Sequence, residues 1–231
     1  MPRRSFVHDY FQAAIFAVMI ALFVRTYLIQ AFQIPSPSMA GSILVGDHIL
    51  VNKFAYGRAL TLAEREILPF RPIARHDVII FKFPGQPERD YVKRVIGLPG
   101  ETVKIEDRRV LIKKPEEADF STLKEEDHVQ HIEPAWAPDP DSLNNMLPME
   151  IPAGSYFVLG DNREDSRDSR EWGLVPEDYI RGKALLVYWS VSPPPPPPDN
   201  ASHSGPLAAF WESASAAFTR TRWDRTFLLV H

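Results

Sequence analysis

Polar and apolar positions divide this chain into stretches of different character. Residues 10–24 (YFQAAIFAVMIALFV) carry no charge, and neither do residues 26–34; Arg25 alone interrupts the run. A helix needs about 20 predominantly apolar residues to cross a bilayer, so 10–31 is predicted to be a single transmembrane anchor. The long Arg25 side chain can reach an interface from within such a helix. Arg3 and Arg4 lie in the leading segment 1–9, which favours a cytoplasmic N-terminus and an exported remainder. A cleaved signal peptide also opens with arginines and an apolar stretch. Here, however, no Ala-x-Ala follows, and Ala31 has the bulky Ile29 two places before it. A buried core helix is the remaining reading, but a helix with so few polar positions seldom opens a soluble domain.

Beyond Pro35 the pattern shortens to runs rich in Val, Ile, Phe and Tyr, at 48–56, 77–83, 90–96, 101–105, 109–114, 155–160 and 183–191. Partial alternation and bounding Gly, Pro and Asp predict strands. Leu98-Pro99-Gly100 and Asp107-Arg108 are turn signals, so 90–114 is expected to form a meander. The fold class that follows is mainly β, an antiparallel domain over 32–192 tethered by one N-terminal helix. Residues 115–150 are acidic, proline-containing and weakly periodic, and read as an inserted excursion or small cap. Ala63 to Ile67 suggests a short helix. Pro193 to Pro198 opens a stiff linker, 193–206. In the tail, 207–231, Phe210, Trp211, Phe218 and Trp223 mix with Arg220, Arg222 and Arg225. That tail either lies on a membrane surface or packs on the domain. No internal repeat is evident.

Composition narrows the chemistry. The 231 residues suffice for one substantial domain or two small ones. A net charge of −4 gives no reason to expect nucleic acid as a partner. The absence of cysteine excludes disulfides and thiolate catalysis and suits an oxidising compartment.

Three polar stretches carry candidate chemistry. The first, QIPSPSMAGSILVGDHILVNKFAYG at 33–57, follows the anchor directly. Alone, Ser36-Pro37-Ser38 is a turn or cap sequence. The second, DYVKRVIGLPGE at 90–101, reads alone as an edge strand with solvated Lys93 and Arg94. The third, GDNREDSRDSREWG at 160–173, reads alone as a polar loop. It fails as a calcium loop because Arg163 and Ser166 stand where an oxygen ligand and a glycine are needed.

In this order, after an apolar helix, the three stretches resemble the bacterial type I signal peptidases, whose Ser-x-Ser-Met and Lys-Arg-x-x-Gly-x-Pro-Gly patterns they match. The resemblance covers about half the chain. It implies a membrane-bound serine endopeptidase that removes N-terminal signal peptides from exported preproteins after small residues, through an acyl-enzyme. Ser38 matches the nucleophile and Lys93 the general base. A serine hydroxyl needs such a base. A free lysine, with a pKa of about 10.4, is neutral in only about one molecule in a few thousand at pH 7. Burial lowers that value. At about 8, roughly a tenth of the molecules would hold a neutral amine. Met39, Val92, Val95 and Ile96 are expected to supply the apolar wall. Ser36 resembles the side-chain donor to the oxyanion, beside the Ser38 N–H. Ser166 resembles the serine that hydrogen-bonds the lysine. Asp168 and Arg170 resemble a supporting ion pair, with Asp161 also placed in support of the site. An extended substrate is expected to pair with Gln33, Ile34, Pro35 and Ser36 on one side and Asp90, Tyr91, Val92 and Lys93 on the other. Shallow pockets near Met39 would take its small side chains. No cofactor and no metal are implied. The expected place is the cytoplasmic membrane, with the catalytic domain on its outer or periplasmic side.

The chain departs from the pattern after Met39. Ala40-Gly41-Ser42-Ile43 stands where the family usually has x-Pro-Thr-Leu, and Gly41 is expected to loosen the nucleophile loop. Four rivals remain in view. One is a hydrolase that uses His48, or His76 with Asp77, as its base. Another is a zinc site at His128 and His131, where nothing nearby completes a tetrahedral set. A third is a self-cleaving repressor-like peptidase, for which no DNA-binding head is present. The last is an anchored, inactive β module that binds exported peptides.

Overall fold

The computed structural model describes residues 6–56, 71–124, 129–131, 144–193 and 218–230. The N-terminal apolar run forms α1 (Phe6–Phe23), which continues as a π-helical turn over Val24–Leu28. Asp9–Leu28 has a mean hydropathy of 1.8, is 20 residues long, and has no part buried inside the chain. By length and composition it can cross a bilayer. The run outlasts the helix: Ile29–Gln33 is strand β1, so its final residues, expected in a span over 10–31, belong to a sheet. Two features of Lys53 help to close the helix. Its N–H donates to the Leu28 carbonyl at 3.0 Å, and its ammonium donates to the Thr26 carbonyl at 2.7 Å. Both satisfy carbonyls that a helix end leaves unpaired, and the cation suits the negative end of the dipole.

The strands that follow are β2 (Asp47–Asn52), β3 (Val78–Phe83), β4 (Gln86–Gly97), β5 (Thr102–Glu106) and β6 (Arg109–Lys113). Next come β7 (Ser121–Thr122), β8 (Met146–Glu150) and β9 (Ser155–Leu159). The short helix α2 (Ser169–Trp172) separates these from β10 (Val175–Pro176), β11 (Ile180–Ser190) and β12 (Leu228–Leu229). All pair antiparallel, in two sheets. The larger runs β1-β2-β11-β3-β4-β9-β10, with β12 also on β11; the smaller runs β7-β6-β5-β8. The mainly antiparallel β class read from the sequence is the architecture observed.

The expected meander over 90–114 is not what forms. β4 belongs to the large sheet, and β5 and β6 make a hairpin in the small one. The edge that β5 would need is taken, because β9 pairs with β4 from Arg94 to Gly97. Gly97 explains how the second sheet packs there. A Cβ on it would lie 2.7 Å from Val103 and also meet Ile151, so only glycine admits that contact. The hairpin turn at Asp107 and Arg108 has φ of 49° and 65°, the doubly positive geometry of a two-residue loop.

Part of the predicted excursion, 115–150, is structural too: β7 and β8 flank the small sheet. The suggested helix at Ala63 to Ile67, His128 and nearly all of the linker lie outside the described residues. Residues 218–230 pack on the domain, with β12 on β11 and Thr221 bridging Val191.

Candidate active site

Ser38 sits in a turn that closes between β1 and β2. Ser36 is extended, and Pro37 opens a 3-10 turn over Pro37–Met39, where its fixed φ suits a first helical position. The Ala40 N–H donates to the Pro37 carbonyl at 2.9 Å, and those of Ser42 and Ile43 donate to the Met39 carbonyl at 3.0 and 2.7 Å. These bonds run through the Ala40-Gly41-Ser42-Ile43 departure, so the loosening expected from Gly41 is opposed by a closed helical turn. Met39 and Ile43 are buried in the core cluster of Ile34, Ile49, Val78 and Val187. Each such side chain contributes roughly 1.5–3 kcal/mol on full burial, which pins the turn on both sides.

Lys93 arrives from β4. Its Nζ lies 2.6 Å from Ser38 Oγ, and its side chain is only 2% exposed. Burial pulls its pKa down to about 8, against the opposing pull of the Asp168 and Asp161 carboxylates. Of the four residues expected to wall the amine, Met39 and Val92 pack in the cluster just described. Val95 and Ile96 belong to two other clusters. The Tyr91 ring, with its centroid 5.8 Å from Nζ, also faces the amine.

The remaining predicted residues divide. Ser36 Oγ stands 3.4 Å from Ser38 Oγ. Ser166 does not bond Lys93 in this structure: its hydroxyl is buried with no hydrogen-bond partner. Ser166 packs against Gly160, where a Cβ would meet Ser166 and stand 2.5 Å from the Ser38 carbonyl oxygen. That carbonyl accepts from the Asn162 N–H at 3.1 Å, so the 160–163 loop touches the backbone of Ser38 itself. Asp168 and Arg170 form a buried ion pair at 2.8 Å. Burial pushes the Asp168 carboxyl up, but Arg170 and the Gly160 N–H more than offset it, leaving it below the usual range. Arg170 also donates to the Arg163 carbonyl, which ties the loop to itself.

Asp161 acts through partners that the sequence did not single out. It accepts from Arg94 Nε at 2.7 Å and Nη2 at 2.8 Å, and the Ser42 hydroxyl donates to it as well. Arg94, read from sequence as solvated, is 1% exposed and joins β4, the turn that carries Ser38 and the 160–163 loop. A bidentate guanidinium–carboxylate pair fixes orientation as well as distance.

A cleft of about 530 Å³ opens beside the pair. Gln33, Ile34, Pro35, Ser36 and Met39 line one part of it, and Asp90, Tyr91, Val92 and Lys93 another, with Arg89, Asp165 and Arg167 also on its wall. Among the described residues two backbone edges are open: β1 pairs only with β2, and β4 from Gln86 to Lys93 pairs only with β3. His48 and His76, the alternative bases, do not line the cleft.

Residues 7–189 match the family model described as signal peptidase, peptidase S26. The chain belongs to this family. It is therefore a peptidase. Among its relatives is the signal peptidase I of Pseudomonas aeruginosa, 37% identical over 74% of this chain and 68% of the relative. Another is that of Aquifex aeolicus, 34% identical over 75% and 80%. A solved signal peptidase I from Enterococcus faecalis V583 covers 49% of this chain and 97% of its own at 29% identity, with a TM-score of 0.35. The matched span holds both residues of the 2.6 Å pair, the Asp168–Arg170 ion pair and all of α1 but Phe6.

Proposed function

We propose that this peptidase removes signal peptides from exported preproteins, with Ser38 as nucleophile and Lys93 as general base. The observation that carries the reading is the 2.6 Å approach of a buried amine, its pKa near 8, to a serine hydroxyl on the wall of a cleft with two open strand edges. In its charged form Lys93 donates to Ser38; once neutral, it accepts the hydroxyl proton along the same line. The serine oxygen then attacks the scissile carbonyl and the lysine passes the proton to the leaving amine. Water later cleaves the acyl-enzyme by the same base. The Ser38 N–H and Ser36 Oγ are the donors nearest the developing oxyanion. A turn of the Ser166 side chain towards Lys93 would let its hydroxyl, unpartnered in this structure, accept from the neutral amine and hold the amine lone pair towards Ser38.

Substrate enters as an added strand between β1 and the open part of β4. Met39 and Ile34 floor the cleft, which limits the reacting side chains to small ones. α1 and its π turn act as the bilayer anchor, with the leading arginines in the cytoplasm and residues beyond β1 on the outer face. The cleft follows the anchor by only a few residues, so it meets the chain where a signal peptide leaves the lipid.

The test is cleavage of a signal-peptide-bearing precursor in detergent by wild type, Ser38→Ala, Lys93→Ala and Lys93→Arg. All three variants are expected to lose turnover, because the guanidinium of Lys93→Arg stays charged at any working pH. Turnover retained by either alanine variant would remove the dyad; turnover by Lys93→Arg would remove the neutral-amine step.

A further inference from the structure

The segment Phe218–Val230 lies beyond residue 189, where the family match ends, and it is not needed for the chemistry just described. Its contacts nonetheless converge on the nucleophile loop. Arg225 Nη2 donates to the Ser42 carbonyl at 2.9 Å and pairs with Asp47 at 2.7 Å. Arg222 Nη2 donates to the Val45 carbonyl at 2.8 Å and meets Asp47 at 3.1 Å, while its Nε donates to Ser190 Oγ at 2.7 Å.

Asp47 is the node. It is fully buried and also accepts from the Leu44 N–H at 2.8 Å and the Ser190 hydroxyl at 2.6 Å. Its backbone forms the neck of the loop. The Ile34 N–H donates to the Asp47 carbonyl at 2.9 Å, and the Gly46 N–H donates to the Ile34 carbonyl at 3.0 Å. Gly46 itself, at φ +86°, has no room for a side chain because the Val191 carbonyl occupies that space. The loop from Pro35 to Val45 is thus closed at its base. Two guanidinium groups from the far end of the chain then hold carbonyls on its returning limb.

We infer that Arg225, supported by Arg222, is a positioning residue for the nucleophile: the C-terminal segment is a clasp that holds the turn bearing Ser38 at its 2.6 Å distance from Lys93. The path is short and continuous. Arg225 grips the Ser42 carbonyl, the Ser42 N–H is bonded to the Met39 carbonyl, and Met39 follows Ser38. Ser42 is held on its other side by Asp161 and Arg94, so the clasp and the β4 arginine fix the same residue from two directions. Carbonyls at the end of a helical turn are the groups such cations stabilise. A displacement of about 1 Å at a reacting atom can cost roughly 100-fold in rate, so a clasp of this kind acts on turnover rather than on substrate affinity.

This inference rests on Ser38 and Lys93 as the reacting pair, and the experiment separates the two. Arg225→Ala, Arg225→Lys, Phe227→Asn and Ser38→Ala are assayed on a soluble signal-peptide substrate in detergent, each at least 10 °C below its own melting temperature. Phe227 is an exposed neighbour at positive φ, which asparagine tolerates. Arg225→Ala is expected to lower kcat by about 10- to 100-fold with KM within threefold. Arg225→Lys, which keeps a cation but loses the fork, is expected to fall between Ala and wild type. Phe227→Asn is expected to match wild type. Arg225→Ala with kcat within twofold of wild type overturns the clasp, as does a loss carried by KM alone. So does a kcat that recovers fully once the lower melting temperature is allowed for. An active Ser38→Ala removes the nucleophile instead and leaves the fault with the dyad.

Discussion

Lys93 is placed where its charge is least welcome. Its folded pKa of about 8 lies below the value of about 10.4 expected in the unfolded chain, so the unfolded state binds that proton more tightly. The folded chain therefore carries a penalty that is fully present below pH 8 and fades as pH rises towards 10.5. A shift of this size corresponds to about 3 kcal/mol. Lys93→Met, of similar shape without charge, is expected to resist urea better than wild type at pH 7 while being inactive. The difference should shrink as the unfolding is repeated towards pH 10. Equal stability of the two proteins at pH 7 would mean that the amine is not strained by burial. At this scale the meeting of Ser38 and Lys93 was legible in the sequence, because short patterns mark them as a pair. The contacts of Arg94, Ser42 and Asp47 were not legible. Their side-chain partners Ser42, Arg94, Asp161 and Arg225 lie 52 to 178 residues away, and a charged residue in a strand ordinarily faces water.

Among the elements, β4 and the loop after β9 decide the geometry. β4 delivers Lys93 and Arg94 as neighbours, one to Ser38 and the other to Asp161. Gly160 lets Ser166 and the Ser38 carbonyl approach it, so Gly160→Ala is expected to shift one or both. We expect at least a 10-fold fall in kcat for Gly160→Ala, with a melting temperature that shows the protein still folded; unchanged turnover would show that the contact can relax freely. Strand positions were legible because alternation and turn residues mark them, and the runs at 77–83 and 101–105 nearly coincide with β3 and β5. Their partnership was not. The same turn signals at Leu98-Pro99-Gly100 serve a meander or a crossing between sheets. The choice was made by β9, which occupies the edge of β4 from a distance in sequence. The end of α1 was misjudged for a related reason, since pairing with β2 draws Ile29–Gln33 into the sheet despite their apolar character.

At the scale of the molecule, an eight-stranded sheet and a returning C-terminal segment meet around one loop, to which an apolar helix leads through β1. The helix hands the chain to β1, β1 leads to Ser38, and the loop's neck is closed by residues that also receive Arg222 and Arg225. The two readings left open for the tail are decided for 218–230 by that ion-paired seat on the domain. Phe218, Trp223 and Phe227 still stay exposed on it. All of this bears on one claim, that a lysine made neutral by burial activates Ser38. The most direct measurement is kcat/KM against pH, which reports groups of the free enzyme, on a peptide with no ionisable group beside the cut. With Lys93 as the base, kcat/KM rises about tenfold per pH unit and levels off near pH 8. A flat profile between pH 6 and 9, or a limb centred near 6.5 as a histidine base would give, would contradict it.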